Sequence, residues 1–107
     1  MNRASERARD AVARAVASQE TIVGLILVAG VVRAARDELG AAHPELGDAD
    51  ALEAIHAALF AANEAGTIEL RPDAGNAFTP ADLALCPRGW RGVYLPILRP
   101  IAPSEPS

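Results

Sequence analysis

The spacing of apolar and polar residues changes sharply at Gly66. Before Gly66, apolar side chains recur three and four positions apart, as on one face of a helix; they are Leu52, Ile55, Leu59 and Phe60. After Gly66, apolar and polar residues alternate over 67–71, which is the period of a strand. The pattern therefore predicts a helix over 50–65 that leads into a strand almost without a loop.

Residue types that favour helix ends support these elements. Asp50 followed by Glu53 has the spacing of a capping box, which predicts a helix start at Asp50. Thr79 followed by Pro80 is a second start signal, because threonine caps a helix and proline fits its first position. This signal predicts a helix of one or two turns that ends before Pro87.

The N-terminal half predicts two further helices. Residues 5–17 carry arginines on one side and Ala and Val on another, and a second helix is predicted over 20–39. Residues 22–32 are apolar on every side, so we expect this part to be buried all round. These eleven residues are too few to cross a bilayer, which takes roughly twenty. The β-branched residues leave open a short strand over 20–23 before the helix.

The C-terminal part predicts a second strand over 93–98, paired antiparallel with 67–71. Pro96 has no N–H for a sheet ladder, so we expect this strand at a sheet edge. Glycines and a proline predict a loop over 40–49. The proline- and serine-rich residues 102–107 are predicted to be disordered.

The composition indicates one small domain with few large core residues. Only 4% of the 107 residues are aromatic, so Leu, Ile and Val must form most of the core. The net charge of −4 is unevenly distributed, because residues 20–71 hold three Arg against nine acidic residues. Such a segment repels the phosphate backbone of a nucleic acid.

The chain offers few residue types for catalysis or metal binding. Its single cysteine, Cys86, excludes an internal disulfide, and we expect it to be a small buried residue. His43 and His56 lack the paired spacing of metal ligands, and no glycine is followed by the G-K-[ST] of a phosphate loop. We therefore predict no enzyme activity, no metal and no cofactor. The charged N-terminus resembles no secretory signal, so we expect a cytoplasmic protein.

One short cluster has the residue types of a binding anchor. Trp90 is the single tryptophan and lies between Arg88 and Arg91 in a predicted loop. Trp and Arg are enriched among the residues that dominate binding energy, so these three are candidate partner-binding residues. The alternative is that Trp90 covers the strand pair while both arginines are solvated.

The order of elements over roughly residues 48–99 resembles that of small bacterial winged-helix domains. Three segments carry the resemblance: Ala65-Gly66-Thr67-Ile68-Glu69-Leu70-Arg71-Pro72, Thr79-Pro80-Ala81-Asp82 and Cys86-Pro87-Arg88-Gly89-Trp90-Arg91-Gly92. The resemblance implies a mainly α, α+β fold of three helices followed by a two-stranded antiparallel hairpin with an elaborated wing. It divides the chain into an Arg-rich N-terminal helix over 1–19, a winged-helix-like domain over 20–101 and the tail over 102–107.

Two functional hypotheses follow, and a third remains open. In DNA-reading winged-helix proteins the third helix enters the major groove with Arg, Lys, Asn or Gln, whereas the helix over 50–65 exposes carboxylates. We therefore favour a non-catalytic protein-interaction adaptor of winged-helix type that binds a protein through its Ala-rich helices or its wing, and we expect it to form a homodimer. The alternative is a DNA-binding regulator that contacts phosphate through Arg3, Arg7, Arg9, Arg14, Arg88 and Arg91. The third hypothesis is a small all-α subunit in which the strand pair is only a tail.

Overall fold

Helices and a small sheet share one core in the computed structural model, which describes residues 3–19, 24–72, 79–89 and 94–101. The side chain of Arg3 is outside this description. In chain order the described elements are α1 Arg3–Ser18, β1 Ile26–Leu27, α2 Val28–Ala42, α3 Asp48–Ala65, β2 Ile68–Arg71, α4 Pro80–Leu85 and β3 Ile97–Pro100. The mainly helical α+β class predicted from the sequence is confirmed. No described helix is long and apolar enough to cross a membrane.

The strands form one antiparallel sheet in which β3 lies between β1 and β2. Leu98 of β3 pairs with Ile26 on one side and Leu70 on the other. The predicted two-stranded hairpin is therefore a three-stranded sheet, and its last strand begins at Ile97 rather than at 93. The prediction that this strand lies at a sheet edge was wrong, because β3 is the central strand. Pro96 is compatible with a central strand because it precedes β3, and its carbonyl accepts from the Val28 N–H at 2.8 Å.

The predicted helix over 20–39 was wrong in its first part. Gly24 has a φ of +76°, and Ile26–Leu27 form β1 before α2 starts at Val28 and runs to Ala42. The reason is tertiary: pairing with β3 holds these residues extended, although their apolar side chains suit a buried helix equally well. The alternative strand over 20–23 lies outside the described residues.

Helix α3 confirms the predicted element but not its start. It begins at Asp48, and the N-cap is Gly47, which makes no side-chain capping bond. Asp50 is therefore inside the first turn, where its carboxylate faces the positive end of the helix dipole. Gly66 ends the helix as predicted, with a φ of +80° and an N–H directed at the carbonyls of Ala62 and Asn63. The connection from α2 to α3 spans only residues 43–47, shorter than the predicted loop over 40–49.

The core is small in volume for its number of residues. Among the described residues, twenty hydrophobic side chains are buried, of which seven are alanine and none is aromatic. Helix α1 contributes only Ala8, Ala11, Val12 and Ala15. The large contributions come from leucine and isoleucine of α2, α3 and the sheet, including Leu59, which is 0% exposed. Short side chains let α1 lie close to α2 and α3 but fill little space between them.

Candidate functional site

Helix α4, which lies within the predicted wing, is attached to the helical body by two side chains. Arg33 of α2 donates to Asp82 at 2.6 Å, and the ring Nε2 of His56 of α3 lies 2.8 Å from the Leu85 carbonyl. The hydrogen bond from Arg33, and then that from Thr79, lower the pKa of the Asp82 carboxyl. Because a carbonyl only accepts, His56 Nε2 carries the hydrogen in this contact. His56 therefore acts as a structural link between α3 and α4.

The start of α4 forms as the sequence indicated. Thr79 is the N-cap, its hydroxyl accepts from Asp82 N–H at 3.1 Å, and Pro80 occupies the first helical position. The helix ends at Leu85, before Pro87. This local geometry places Asp82 where Arg33 reaches it.

Arg88 folds onto Tyr94, three residues before β3. Its guanidinium lies 4.9 Å from the ring centroid of Tyr94, and Nη2 donates to the Tyr94 hydroxyl at 3.3 Å. The backbones of Arg88 and Tyr94 also form an antiparallel bridge. Trp90 and Arg91, the other two candidate partner-binding residues, lie outside the described residues. In the described part of this cluster, Arg88 thus has an intramolecular cation–π partner.

The N-terminal arginines proposed as phosphate contacts have different surroundings. Arg7 is exposed, whereas the Arg14 Nε donates to Glu38 of α2 at 2.8 Å. That hydrogen bond raises the pKa of Arg14 and lowers the pKa of Glu38. Arg9 lines a cleft described below.

The outward face of α3 is acidic and offers few groups that read bases. Asp50, Glu53 and Glu64 are exposed there. The Asn63 side-chain oxygen accepts from the Leu70 N–H at 3.1 Å, and His56 is bound to Leu85. The two side chains on this helix best suited to hydrogen-bond a base edge are therefore committed to contacts within the chain.

Cys86 is buried, and His43 is partly buried beside Glu45. Cys86 is 4% exposed and its thiol lies 3.2 Å from the Asp82 carbonyl, which confirms a small buried residue. Burial, and then the charge of Asp82, raise the pKa of this thiol to about 11, so it is protonated at neutral pH. His43 Nδ1 lies 3.1 Å from Glu45, while its Nε2 is buried without a partner. Among the described residues, no group of three His, Cys, Asp or Glu side chains is placed to hold a metal.

An apolar cleft of about 480 Å³ lies where α1 crosses α3 beside β2. Its lining consists of Arg9, Val12, Ala13 and Val16 of α1, Ala58, Ala61, Ala62 and Ala65 of α3, and Thr67 and Ile68. Five of these residues are alanine, which explains the space between the helices. Arg9 supplies the one charge of the lining, and the Thr67 hydroxyl already donates to the Ala62 carbonyl at 3.1 Å.

Sequence reasoning missed this cleft. The alanines of α3 were a usable signal, because 58, 61, 62 and 65 recur at helical spacing on one side of the predicted helix. What the sequence lacked was the identity of the helix that crosses them.

The chain matches no known protein-family model, no curated protein and no solved structure.

Proposed function

We propose that this chain is a non-catalytic protein-interaction module of winged-helix type, and that it holds apolar side chains of a partner protein in the cleft between α1, α3 and β2. The cleft is the observation that carries this proposal. Its volume of about 480 Å³ falls within the range of ligand pockets. Its lining presents methyl groups, one guanidinium and one satisfied hydroxyl, which suits binding rather than reaction.

The winged-helix assignment is supported by the order of elements. Helices α2 and α3 are followed by β2, a long connection containing α4, and the returning strand β3. β2 and β3 are antiparallel neighbours, with Glu69 opposite Arg99, so the connection between them occupies the place of the wing. In this chain α4 is bonded back to α2 and α3 through Arg33 and His56. A wing held against the body in this way leaves the cleft side of α3 as the surface for a partner.

A partner segment with bulky apolar side chains fits the cleft best. The alanines of α3 present a shallow surface, so leucine or methionine side chains from a partner fill the space that the chain itself leaves open. An amphipathic helix presents such side chains at i, i+3, i+4 and i+7, which is a common way for a helix to occupy a groove.

The test compares two substitutions on one helix. Ala61→Phe places a ring in the cleft, while Ala57→Phe places the same ring on the exposed side of α3. The probe is a displayed library of helical 16-residue peptides selected against the full chain, with each selected peptide remeasured by fluorescence anisotropy. We expect Ala61→Phe to weaken binding by at least tenfold and Ala57→Phe to leave it unchanged. Peptides that bind both variants equally, or a selection with no specific binder, would contradict the proposal.

The second candidate function is a DNA-binding regulator, which the exposed Arg7 and the exposed Arg88 favour. Against it, the segment 20–71 carries three Arg and nine acidic residues. If two or three arginines contact phosphate at once, the slope of log K against log salt concentration should be about −2 to −3. A strong binder makes about 6–10 phosphate contacts and has a correspondingly steeper slope. We therefore expect weak binding of a labelled random duplex at two salt concentrations. Sub-micromolar binding with a steep salt slope that is lost in Arg88→Ala/Arg91→Ala would support the DNA-binding function instead.

A further inference from the structure

The sheet has one face against the helices and one face toward solvent, and the solvent face carries both aliphatic and charged side chains. Ile26, Leu70 and Leu98 point inward and are at most 2% exposed. Leu27 and Ile101 are the exposed large hydrophobic residues of the described chain, at 46% and 38%. Because side chains alternate along a strand, Leu27 and Ile101 belong to the face opposite the core.

The strand register arranges this face in rows. Leu27 of β1 and Arg71 of β2 both pair with Ile97 of β3, so these three side chains lie side by side. In the next row Arg99 pairs with Glu69. One row further, Ile101 N–H donates to the Thr67 carbonyl at 3.0 Å, which extends the same alternation beyond β3. Successive rows are about 7 Å apart, since each strand residue rises about 3.4 Å.

The charges on this face do not cancel. Arg71 and Arg99 are exposed, and neither has an ion-pair partner among the described residues. Glu69 is the only acid in these rows, so the face carries a local net charge of about +1 in a chain with a net charge of −4. By contrast, Arg14 and Arg33 are neutralised by carboxylates of the same chain. Two guanidinium groups with one carboxylate among them, beside aliphatic side chains, suit a partner that is both apolar and acidic.

We infer that this face, consisting of Leu27, Ile97, Ile101, Arg71 and Arg99 and here called the outer sheet face, docks an acidic amphipathic helix of a partner protein. The central strand presents apolar, cationic and apolar side chains at Ile97, Arg99 and Ile101, in steps of about 7 Å. Four residues of a helix rise about 6 Å, so the matching partner has an apolar residue, a carboxylate four positions on, and another apolar residue four positions further. This surface shares no residue with the cleft, although Thr67, which lines the cleft, accepts from the Ile101 N–H.

The experiment uses the full chain and a pair of synthetic helical peptides of 16 residues. One peptide carries Leu, Glu and Leu at i, i+4 and i+8 of an otherwise Ala/Gln helix, and the other carries Lys in place of Glu. Fluorescence anisotropy should show the Glu peptide binding at least tenfold more tightly than the Lys peptide. Arg71→Glu/Arg99→Glu should reverse that order, and Leu27→Glu should weaken both peptides at least tenfold.

Two controls separate this surface from the rest of the chain. Arg7→Glu/Arg36→Glu changes the net charge equally but lies on α1 and α2, outside the cleft lining, so the preference for the Glu peptide should persist. The cleft variant Ala61→Phe should also leave this binding unchanged, so failure of the proposed cleft function is distinguishable from failure here. Circular dichroism of each variant confirms that it is folded before its affinity is interpreted.

The outcomes that overturn the inference are specific. Equal binding of the Glu and Lys peptides, or no binding of either, removes the acidic helix as the occupant. Concentration-dependent self-association that is lost in Leu27→Glu, without peptide binding, assigns the outer sheet face to a second copy instead. Peptide binding that is unaffected by Arg71→Glu/Arg99→Glu places the docking elsewhere on the chain.

Discussion

Truncating Leu59 to alanine should strongly destabilise the fold. Leu59 is 0% exposed, near the middle of α3, and belongs to the central hydrophobic cluster. Leu→Ala substitutions in cores cost about 2–5 kcal/mol, more where the surroundings cannot collapse into the cavity. Seven of the twenty buried hydrophobic residues in the described chain are alanine, which have no rotamers with which to fill a void. We therefore expect a cost in the upper part of that range, about 3–5 kcal/mol.

That loss is large relative to the total free energy of unfolding. A chain of 107 residues has a free energy of unfolding of roughly 5–16 kcal/mol, so Leu59→Ala removes a substantial fraction of it. With a urea m-value of about 1–3 kcal/mol/M, the unfolding midpoint should fall by roughly 1–5 M. The control is Leu52→Ala on the same helix, where the half-buried side chain should cost less than half as much. An unchanged midpoint for Leu59→Ala, or equal costs for both variants, would refute the assignment of the core face.

Three further outcomes follow from the described contacts. The pKa of Cys86 is raised to about 11 from an ordinary 9.0, so the folded chain should react with iodoacetamide at pH 8 about 100-fold more slowly than the unfolded chain. The contribution of the neutral Cys86 thiol to the stability of the fold should be complete below pH 9.0 and should be lost as the pH rises through about 11. The pKa of Asp82 is lowered from 3.8, so its pairing with Arg33 stabilises the fold above that pH and is lost on further acidification. Asp82→Asn should lower the urea midpoint slightly at pH 6, because an exposed ion pair contributes little, and this difference should shrink toward pH 3; a difference that stays constant with pH would contradict the assignment. Sedimentation at micromolar concentration should give a mass above that of the monomer, and a monomer mass throughout would mean that no exposed apolar surface of the chain is a self-contact.

Local sequence signals located several elements of this fold correctly. Gly66 ends α3 because a left-handed residue is needed there, and Thr79 with Pro80 starts α4 because both groups act within one turn of the chain. The capping box at Asp50 failed because Gly47, three residues earlier, allowed the helix to begin sooner. Such competition among neighbouring start signals shifts a boundary without changing the element.

The elements that sequence reasoning missed depend on distant pairings. β1 exists because Ile26 meets Leu98 across the fold, and no feature of residues 20–39 specifies that partner. The same pairing turns the predicted two-stranded hairpin into a sheet with β3 at its centre. The exposed side of Leu27 could not be recognised while its segment was assigned to a buried helix.

Neither proposed binding surface could be predicted from the sequence, for a related reason. The cleft requires α1 to cross α3 at a set of alanines, and the outer sheet face requires the register that places Leu27, Ile97 and Arg71 in one row. The sequence-based candidates were instead chosen by residue type, and Arg88 is the described member of that cluster. Residue type suggests chemistry, but only tertiary geometry brings chemistry from several elements to one surface.

The central position of β3 has a consequence for the order in which the chain acquires its structure during synthesis. The two neighbours of β3, β1 and β2, are synthesised before it. More than seventy residues are translated between Ile26 of β1 and its partner Leu98 of β3. Until then β1 and β2 have no strand between them. The backbone groups of Ile26 in β1 and of Leu70 in β2 are unpaired, and apolar side chains lie beside them. We expect a nascent chain that has been translated only to Pro96 to be helical but accessible to chaperones, and β3 to complete the sheet in one late step once it has been made.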